Sequence, residues 1–256
     1  MLRKLMKYEF KAIGRIMIPL YAALLGFTII NKLFIGINFN ESNMDFLGGI
    51  PAIITMMGYV ITMIAVFVGT FFIIIQRFYK NLFGDEGYLM NTIPVKSSQN
   101  IVNKLVVSMI WIIISTIVAA ISIVIMAYEP EMVKAIIKEF KNIYSEIGVN
   151  GPIIIEFIIL GIVNLAHGIM MFYAALSIGQ LFKSKKLLGA FAGFMIISII
   201  QQTIIGIGMT ILFISVNFVY ANPQYILLGA ILVSLCLFVI LFCITNYILK
   251  NKLNLE

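Results

Sequence analysis

Six apolar runs, each long enough to cross a lipid bilayer, constrain the fold of this chain more than any other feature. A hydrocarbon core about 30 Å thick needs about 20 apolar residues of helix. Backbone groups in lipid must bond within the same segment, and no alternating pattern indicates a barrel. We therefore expect an all-α polytopic membrane protein, one transmembrane domain over residues 1–256. The predicted spans are residues 16–37, 52–75, 105–127, 153–182, 187–205 and 225–249.

The basic residues predict which face of the membrane each connection occupies, because Lys and Arg accumulate in short cytoplasmic loops. Of the 18 Lys and Arg residues, fourteen would lie on one face and the other four on or near the opposite face. Both termini are therefore predicted to be cytoplasmic. The first apolar run follows a long basic segment and has no small-residue cleavage site, so it predicts a retained span.

The composition excludes several classes of protein. The chain is 62% hydrophobic, whereas soluble domains are roughly 45–50% apolar. The net charge of +7 is dispersed among loops, which suits lipid headgroups and gives no basic domain for nucleic acid. Cys236 and Cys243 both lie in the last span, with no nearby metal-ligand pattern. Phosphate-loop, zinc-protease and hydrolase motifs are absent from the sequence, so no catalytic, cofactor-binding or metal-binding residue is predicted.

Two amphipathic segments flank the spans. Residues 1–15 place apolar side chains at helical spacing opposite basic ones, which is typical of a helix lying in the membrane interface. The competing interpretation is a cytoplasmic extension of the first span. Outside the membrane, residues 128–152 contain a second amphipathic pattern over residues 131–147. Pro130 suits its first turn and Gly148 its end, so we expect an extracellular helix there.

The fifth apolar run continues to Val219 and makes about 50 Å of helix, longer than a bilayer requires. Gly206 and Gly208 lie where a break would be expected, so the fifth span is predicted to end at Ile205. Residues 209–219 would then dip into the outer leaflet as a re-entrant hairpin before the sixth span. A single long tilted helix is the alternative.

A few polar and small residues inside the spans are candidates for a dimer contact or a translocation path. Ionisable and amide side chains at this depth are costly, which makes them functional candidates. Closely spaced glycines allow helices to approach each other, either within one subunit or between two. The candidates are Asn164, His167, Gly189, Gly193, Gln201 and Gln202. Glu156 lies nearer the outer end of the fourth span, and no membrane-centred acid accompanies His167.

The polar segment 76–104, between spans two and three, indicates the function most directly. Phe78, Leu82 and Phe83 can share one face of a short cytoplasmic helix that ends near Gly84. Such an element is suited to receive force from a soluble partner. The candidate interface residues are Phe78, Tyr79, Leu82, Phe83, Asp85, Glu86 and Tyr88. The alternative is that these aromatic side chains only line the inner membrane surface.

The stretch GDEGYLMNTIPV, with six spans and cytoplasmic ends, resembles the permease subunit of a bacterial type-2 ABC exporter. The residues that carry the resemblance are Gly84, Asp85, Glu86, Gly87, Tyr88, Leu89, Thr92 and Pro94. The resemblance implies a plasma-membrane protein whose cytosolic coupling helix docks on a separate ATP-binding cassette ATPase, which would hold ATP and Mg. It also implies a second permease subunit, identical or related, and the re-entrant hairpin. It assigns no role to the helix at residues 131–147.

Other functions stay open at this point. A secondary transporter or channel coupled to ions should show paired membrane-buried charges or broken helices in two halves. A non-transporting sensor or immunity subunit could use the same architecture, whereas a membrane-bound enzyme has no residue cluster to support it. The sparse charges inside the membrane suggest a hydrophobic or amphipathic cargo, such as a peptide, lipid or drug.

Overall fold

Six long α-helices account for most of the computed structural model, and the described residues contain no β-strand. The helices are α1 (Leu2–Asn38), α2 (Phe46–Phe83), α3 (Ser97–Met126), α4 (Gly151–Gly179), α5 (Lys186–Ser215) and α6 (Pro223–Asn251). The structure describes residues 2–38, 46–84, 87, 96–126, 134–135, 137–139, 142, 151–182, 185–215 and 223–252. Each of the six helices is long and apolar enough to cross a membrane. The chain is therefore an all-helical, multi-pass membrane protein, as predicted.

The helices fall into two units. The first comprises residues 1–74 and 110–147, and the second comprises residues 75–109 and 148–256. In the first unit, hydroxyl groups join the helices: Tyr21 and Thr70 lie 2.7 and 2.8 Å from the Ser115 hydroxyl. Ser115 also donates to the Trp111 carbonyl one turn earlier. Such bonds satisfy polar side chains where water is excluded.

In the second unit, α4 packs against both α5 and α6. Toward the end of α4, four residues are fully or almost fully buried: Met170, Tyr173, Ala174 and Ala175. The connection from α4 to α5 is short, and Gly179 lies at its start. A β-carbon on Gly179 would lie 2.6 Å from the Lys186 carbonyl oxygen and 2.7 Å from the Ala190 nitrogen. This close backbone approach therefore requires glycine.

The helix break predicted at Gly206 and Gly208 is absent from the structure, while the end of the membrane span at Ile205 stays a prediction. Helix α5 runs without interruption through Gly206 and Gly208 to Ser215. A helical glycine costs only about 1 kcal/mol relative to alanine, whereas a break within lipid would leave several backbone groups without partners. Of the segment predicted to re-enter the membrane, residues 209–215 are helical and residues 216–219 lie outside the described residues.

At the N-terminus, α1 is also continuous and does not end near Gly14. This agrees with the alternative interpretation, an extension of the first span, and not with a separate helix over residues 1–15. Phe10 stacks on Trp111 of α3 at 4.7 Å, and the Trp111 ring lies over Gly14. Tertiary contacts of this kind favour a continuous helix through a weak break point. An interfacial position for the first turns stays a prediction.

The two helices beside the segment 76–104 extend beyond their predicted spans, because α2 continues to Phe83 and α3 begins at Ser97. Hydropathy marks the part of a helix that lies in lipid, and no helix-breaking residue separates Ile75 from Phe83. The predicted short helix is therefore the last part of α2.

In the predicted extracellular helix, residues 134–135, 137–139 and 142 are helical and exposed, and the others lie outside the described residues.

Candidate functional site

The end of α2 is fixed by glycine, as the sequence predicts. The Gly84 N–H lies 3.2 Å from the carbonyl oxygens of both Tyr79 and Lys80, which closes the last turn of the helix. A β-carbon on Gly84 would lie 2.8 Å from the Lys80 oxygen. The Gly87 N–H then donates to the Gly84 carbonyl at 2.8 Å. These bonds end α2 at this glycine and bring the Gly87 N–H back to the Gly84 carbonyl.

Immediately before this turn, the aromatic side chains of α2 pack inward. The Phe78 ring stacks on the Tyr173 ring of α4 with 3.7 Å between centroids and 7° between planes. Phe83 meets the same Phe78 ring edge-on at 5.8 Å. The Tyr173 hydroxyl lies 2.9 Å from the Ser108 hydroxyl of α3. The single Tyr173 side chain therefore contacts α2 and α3 while belonging to α4.

Because of this packing, three of the predicted interface residues lie inside the chain and not on its surface. Phe78, Leu82 and Phe83 are buried within the chain, and Tyr79 is half-buried. Asp85, Glu86 and Tyr88 lie outside the described residues. An apolar helix face that contacts its own bundle has the same sequence pattern as one that contacts a partner, so the sequence could not separate the two. The docking role of the segment stays a prediction.

A set of buried polar side chains at the start of α3 and the end of α2 was missed in the sequence. Asn100, Asn103 and Lys104 lie on the first turns of α3 and are almost fully buried, as is Asn81 near the end of α2. The Oδ1 of Asn100 and both amide atoms of Asn103 make no hydrogen bond. The signal was available as polar residues at spacings of three and four from Asn100 to Ser108, which place them on one helix face.

The fourth helix carries a row of polar side chains that bond to neighbouring helices. The Gln224 amide donates to Glu156 Oε1 at 3.1 Å, and the Ser234 hydroxyl donates to Asn164 Oδ1 at 2.8 Å. Nearer the middle of the helix, Gln201 Nε2 lies 3.0 Å from His167 Nε2. The structure thus brings together His167 and Gln201, two of the predicted path residues. It gives Asn164 a different partner, Ser234 of α6.

The remaining path candidates separate into buried and exposed residues. Gly189 and Gly193 are buried: a β-carbon on Gly189 would overlap the ring of Phe182 in the connection after α4, and one on Gly193 would lie 3.1 Å from Ile178 of α4. Both glycines therefore serve packing within the chain. Gln202, next to the buried Gln201, is exposed on the surface of α5, as is Asn164 on α4. Uncharged amides are thus presented at membrane depth on two adjacent helices.

Within the part of the chain that the structure covers, no three His, Cys, Asp or Glu side chains form a group that could hold a metal ion. Cys236 and Cys243 are free and lie on the exposed surface of α6.

The fold defines a helical membrane protein with six helices that are long and apolar enough to cross a bilayer. Comparison with known proteins adds no closer assignment, because no family model, curated protein or solved structure matches the chain.

Proposed function

We propose that this chain is the permease subunit of an ATP-driven exporter of the type-2 ABC class. A separate ATPase subunit would bind and hydrolyse ATP with Mg, and this chain would have no ATPase site of its own. A second permease subunit, the same chain or a related one, would complete the translocation path. The cargo would be a hydrophobic or amphipathic molecule moved outward across the bacterial plasma membrane.

The observation that supports this proposal best is the contact between the end of α2 and Tyr173. A force applied to the connection after Gly84 reaches Phe78 within two helical turns. The Phe78–Tyr173 stack passes it to α4, and the Tyr173–Ser108 bond passes it to α3. Closely packed helices transmit displacement because their interiors do not compress. This arrangement is suited to couple a soluble motor to three spans at once.

The burial of the aromatic residues refines how docking would work. Phe78, Leu82 and Phe83 would hold the base of the connection, while Tyr79 and the stretch from Asp85 to Tyr88 would contact the ATPase. Small interfaces concentrate their energy in a few aromatic or charged anchors. In this division of roles, Tyr88 is the candidate anchor, and Asp85 and Glu86 would meet basic groups on the partner.

The polar residues of α4 and α5 are the candidates for the path. Asn164 and Gln202 are exposed at membrane depth, where an amide facing lipid is unfavourable. Asn164 Oδ1 already accepts a hydrogen bond from Ser234, so a second permease subunit or an amphipathic cargo would mainly supply a partner for the Gln202 amide. The His167–Gln201 pair lies between the two helices and would hold their relative position as the path opens.

The proposal is tested by purifying the tagged permease from its native membrane and asking whether an ATP-binding cassette ATPase copurifies. We expect a complex that hydrolyses ATP, and we expect Glu86→Lys combined with Tyr88→Ala to release the ATPase. Tyr225→Ala is the matched control, since Tyr225 is an exposed aromatic residue at the start of α6. A permease that purifies without any such ATPase, or a complex unaffected by the double substitution, would contradict the proposal.

One observation favours a second candidate, an ion-coupled transporter. Glu156 is 9% exposed, and its Oε2 makes no hydrogen bond. A buried carboxylate in a span is a candidate ion or proton site. A transport assay in proteoliposomes that contain only this chain distinguishes the two candidate functions. Cargo movement driven by an ion gradient without ATP, and abolished by Glu156→Gln, would support the second candidate.

A further inference from the structure

A groove on the outer surface of the second unit lies between α4 and α5 and reaches Ile75 of α2. Its volume is about 480 Å³, and every lining side chain is apolar. Besides Ile75, it is lined by Phe172, Ala175, Leu176, Leu187, Leu188, Ala190, Phe191 and Phe194. The stacked pair of Phe172 and Phe194, 4.9 Å apart, forms one wall. Leu187 is 78% and Phe191 65% exposed, so the groove opens toward the surroundings of the helices.

Two basic residues come just before the groove-lining residues of α5 in the sequence. Lys185 and Lys186 directly precede Leu187, and Lys186 begins both α5 and its membrane-crossing part. Neither lysine has an acidic partner among the described residues. The first N–H groups of α5 lie at this end of the helix, and a helix start favours negative charge. The start of α5 therefore attracts an anion, while the walls of the groove accept only hydrocarbon.

The length of the groove along α5 fits a charged end at the headgroups and apolar walls in the hydrocarbon layer. Phe194 lies eight residues after Lys186, which is about 12 Å along the helix. With the lysines at headgroup level, the apolar walls extend through the adjoining part of the hydrocarbon layer. The groove is therefore suited to a molecule that has an anionic headgroup and a hydrocarbon chain.

We infer that this groove binds an anionic phospholipid, with its phosphate at Lys185 and Lys186 and one acyl chain along Phe191 and Phe194. Zwitterionic phospholipids of the same chain length offer the same hydrocarbon but no net charge, so they bind more weakly. The inference is independent of the proposed exporter function. The bound lipid would fill the space between α4 and α5 and stabilise their packing.

The test places a tryptophan in the groove and measures its quenching by lipids with brominated acyl chains. The reporter is Leu188→Trp in a Trp111→Phe background, in nanodiscs containing phosphatidylcholine with a minor share of either brominated phosphatidylglycerol or brominated phosphatidylcholine. We expect several-fold stronger quenching by the anionic lipid. Lys185→Gln with Lys186→Gln should remove this preference, at about fivefold in affinity per lysine.

Two controls keep the result interpretable. Leu232→Trp places the reporter on the exposed surface of α6, where no preference is expected. Lys250→Gln with Lys252→Gln removes two other basic residues and should leave the groove preference intact. Native mass spectrometry of the unmodified chain, titrated with both lipids, gives a reading that does not depend on Trp111→Phe. Equal quenching or equal binding by the two lipids would overturn the inference, as would a groove covered by a second copy of the chain in crosslinking.

Discussion

The ring of Phe78 lies flat on the ring of Tyr173, and neither residue has any exposed surface. The pair joins the last turns of α2 to the last two turns of α4, close to the glycine that ends α2. A stacked pair of this kind contributes about 0.5–1.5 kcal/mol beyond the area that it buries.

Replacing Phe78 by alanine should therefore destabilise the protein by about 3–5 kcal/mol. The matched control is Phe72→Ala on the same helix, because Phe72 is 61% exposed and should lose far less. Thermal unfolding of the two variants in detergent measures the difference. If both lower the midpoint equally, the stack does not hold the end of α2.

Removing only the Tyr173 hydroxyl separates the stack from the hydrogen bond to Ser108. Tyr173→Phe keeps the ring on Phe78 and should cost about 0.5–1.5 kcal/mol. Ser108→Ala removes the other partner of the same bond, so the double variant should be little worse than either single one. A double-mutant cycle on the free energy of unfolding measures this coupling. Strict additivity would show that the two hydroxyls act independently.

Gly179→Ala should destabilise the connection between α4 and α5 by about 1–3 kcal/mol, the usual range for overpacking. The new methyl group would press on backbone atoms of Lys186 and Ala190, which cannot move as a side chain can. Gly168→Ala on the same helix is the control, because its β-carbon would meet nothing within 4 Å. The change in the free energy of unfolding, measured in detergent, should have opposite signs for the two variants. Gly168→Ala should stabilise the protein, since alanine favours helix more than glycine does.

Gly206→Ala and Gly208→Ala test the continuity of α5. Neither β-carbon would meet an atom within 4 Å, so in an unbroken helix each change should stabilise by up to about 1 kcal/mol. A break or re-entrant turn at these residues would instead make alanine destabilising. Thermal midpoints of the two single variants decide between the two outcomes.

The predicted orientation is tested by labelling single cysteines in intact cells after Cys236 and Cys243 are replaced by alanine. Ser97→Cys and Asn254→Cys should resist an impermeant thiol reagent, while Ser145→Cys should react. Labelling after cell lysis shows that all three cysteines are reactive in principle. Reaction of Ser97→Cys from outside would reverse the orientation and remove the argument for an ATPase partner at that connection.

The spans were predictable because bilayer thickness imposes a minimum apolar length that can be read directly from the sequence. The sequence could not reveal which apolar faces turn inward: Phe78 and Phe83 fit a docking surface and a core equally well until Tyr173 is placed beside them. The break predicted at Gly206 is absent because the low helix propensity of glycine costs less free energy than leaving backbone N–H and C=O groups without hydrogen bonds in lipid. Asn103 was missed because the residue type alone does not show whether an amide side chain is buried or faces water.

The short turn at Gly179 also bears on how the protein is made. With so few residues between α4 and α5, the two helices leave the ribosome in succession and can enter the membrane as a preformed pair. We expect His167 and Gln201, which are hydrogen-bonded in the folded protein, to pair before either faces lipid. Pairing polar side chains early would lower the cost of inserting each helix alone. The glycine that permits the turn would then serve biogenesis as well as the finished fold.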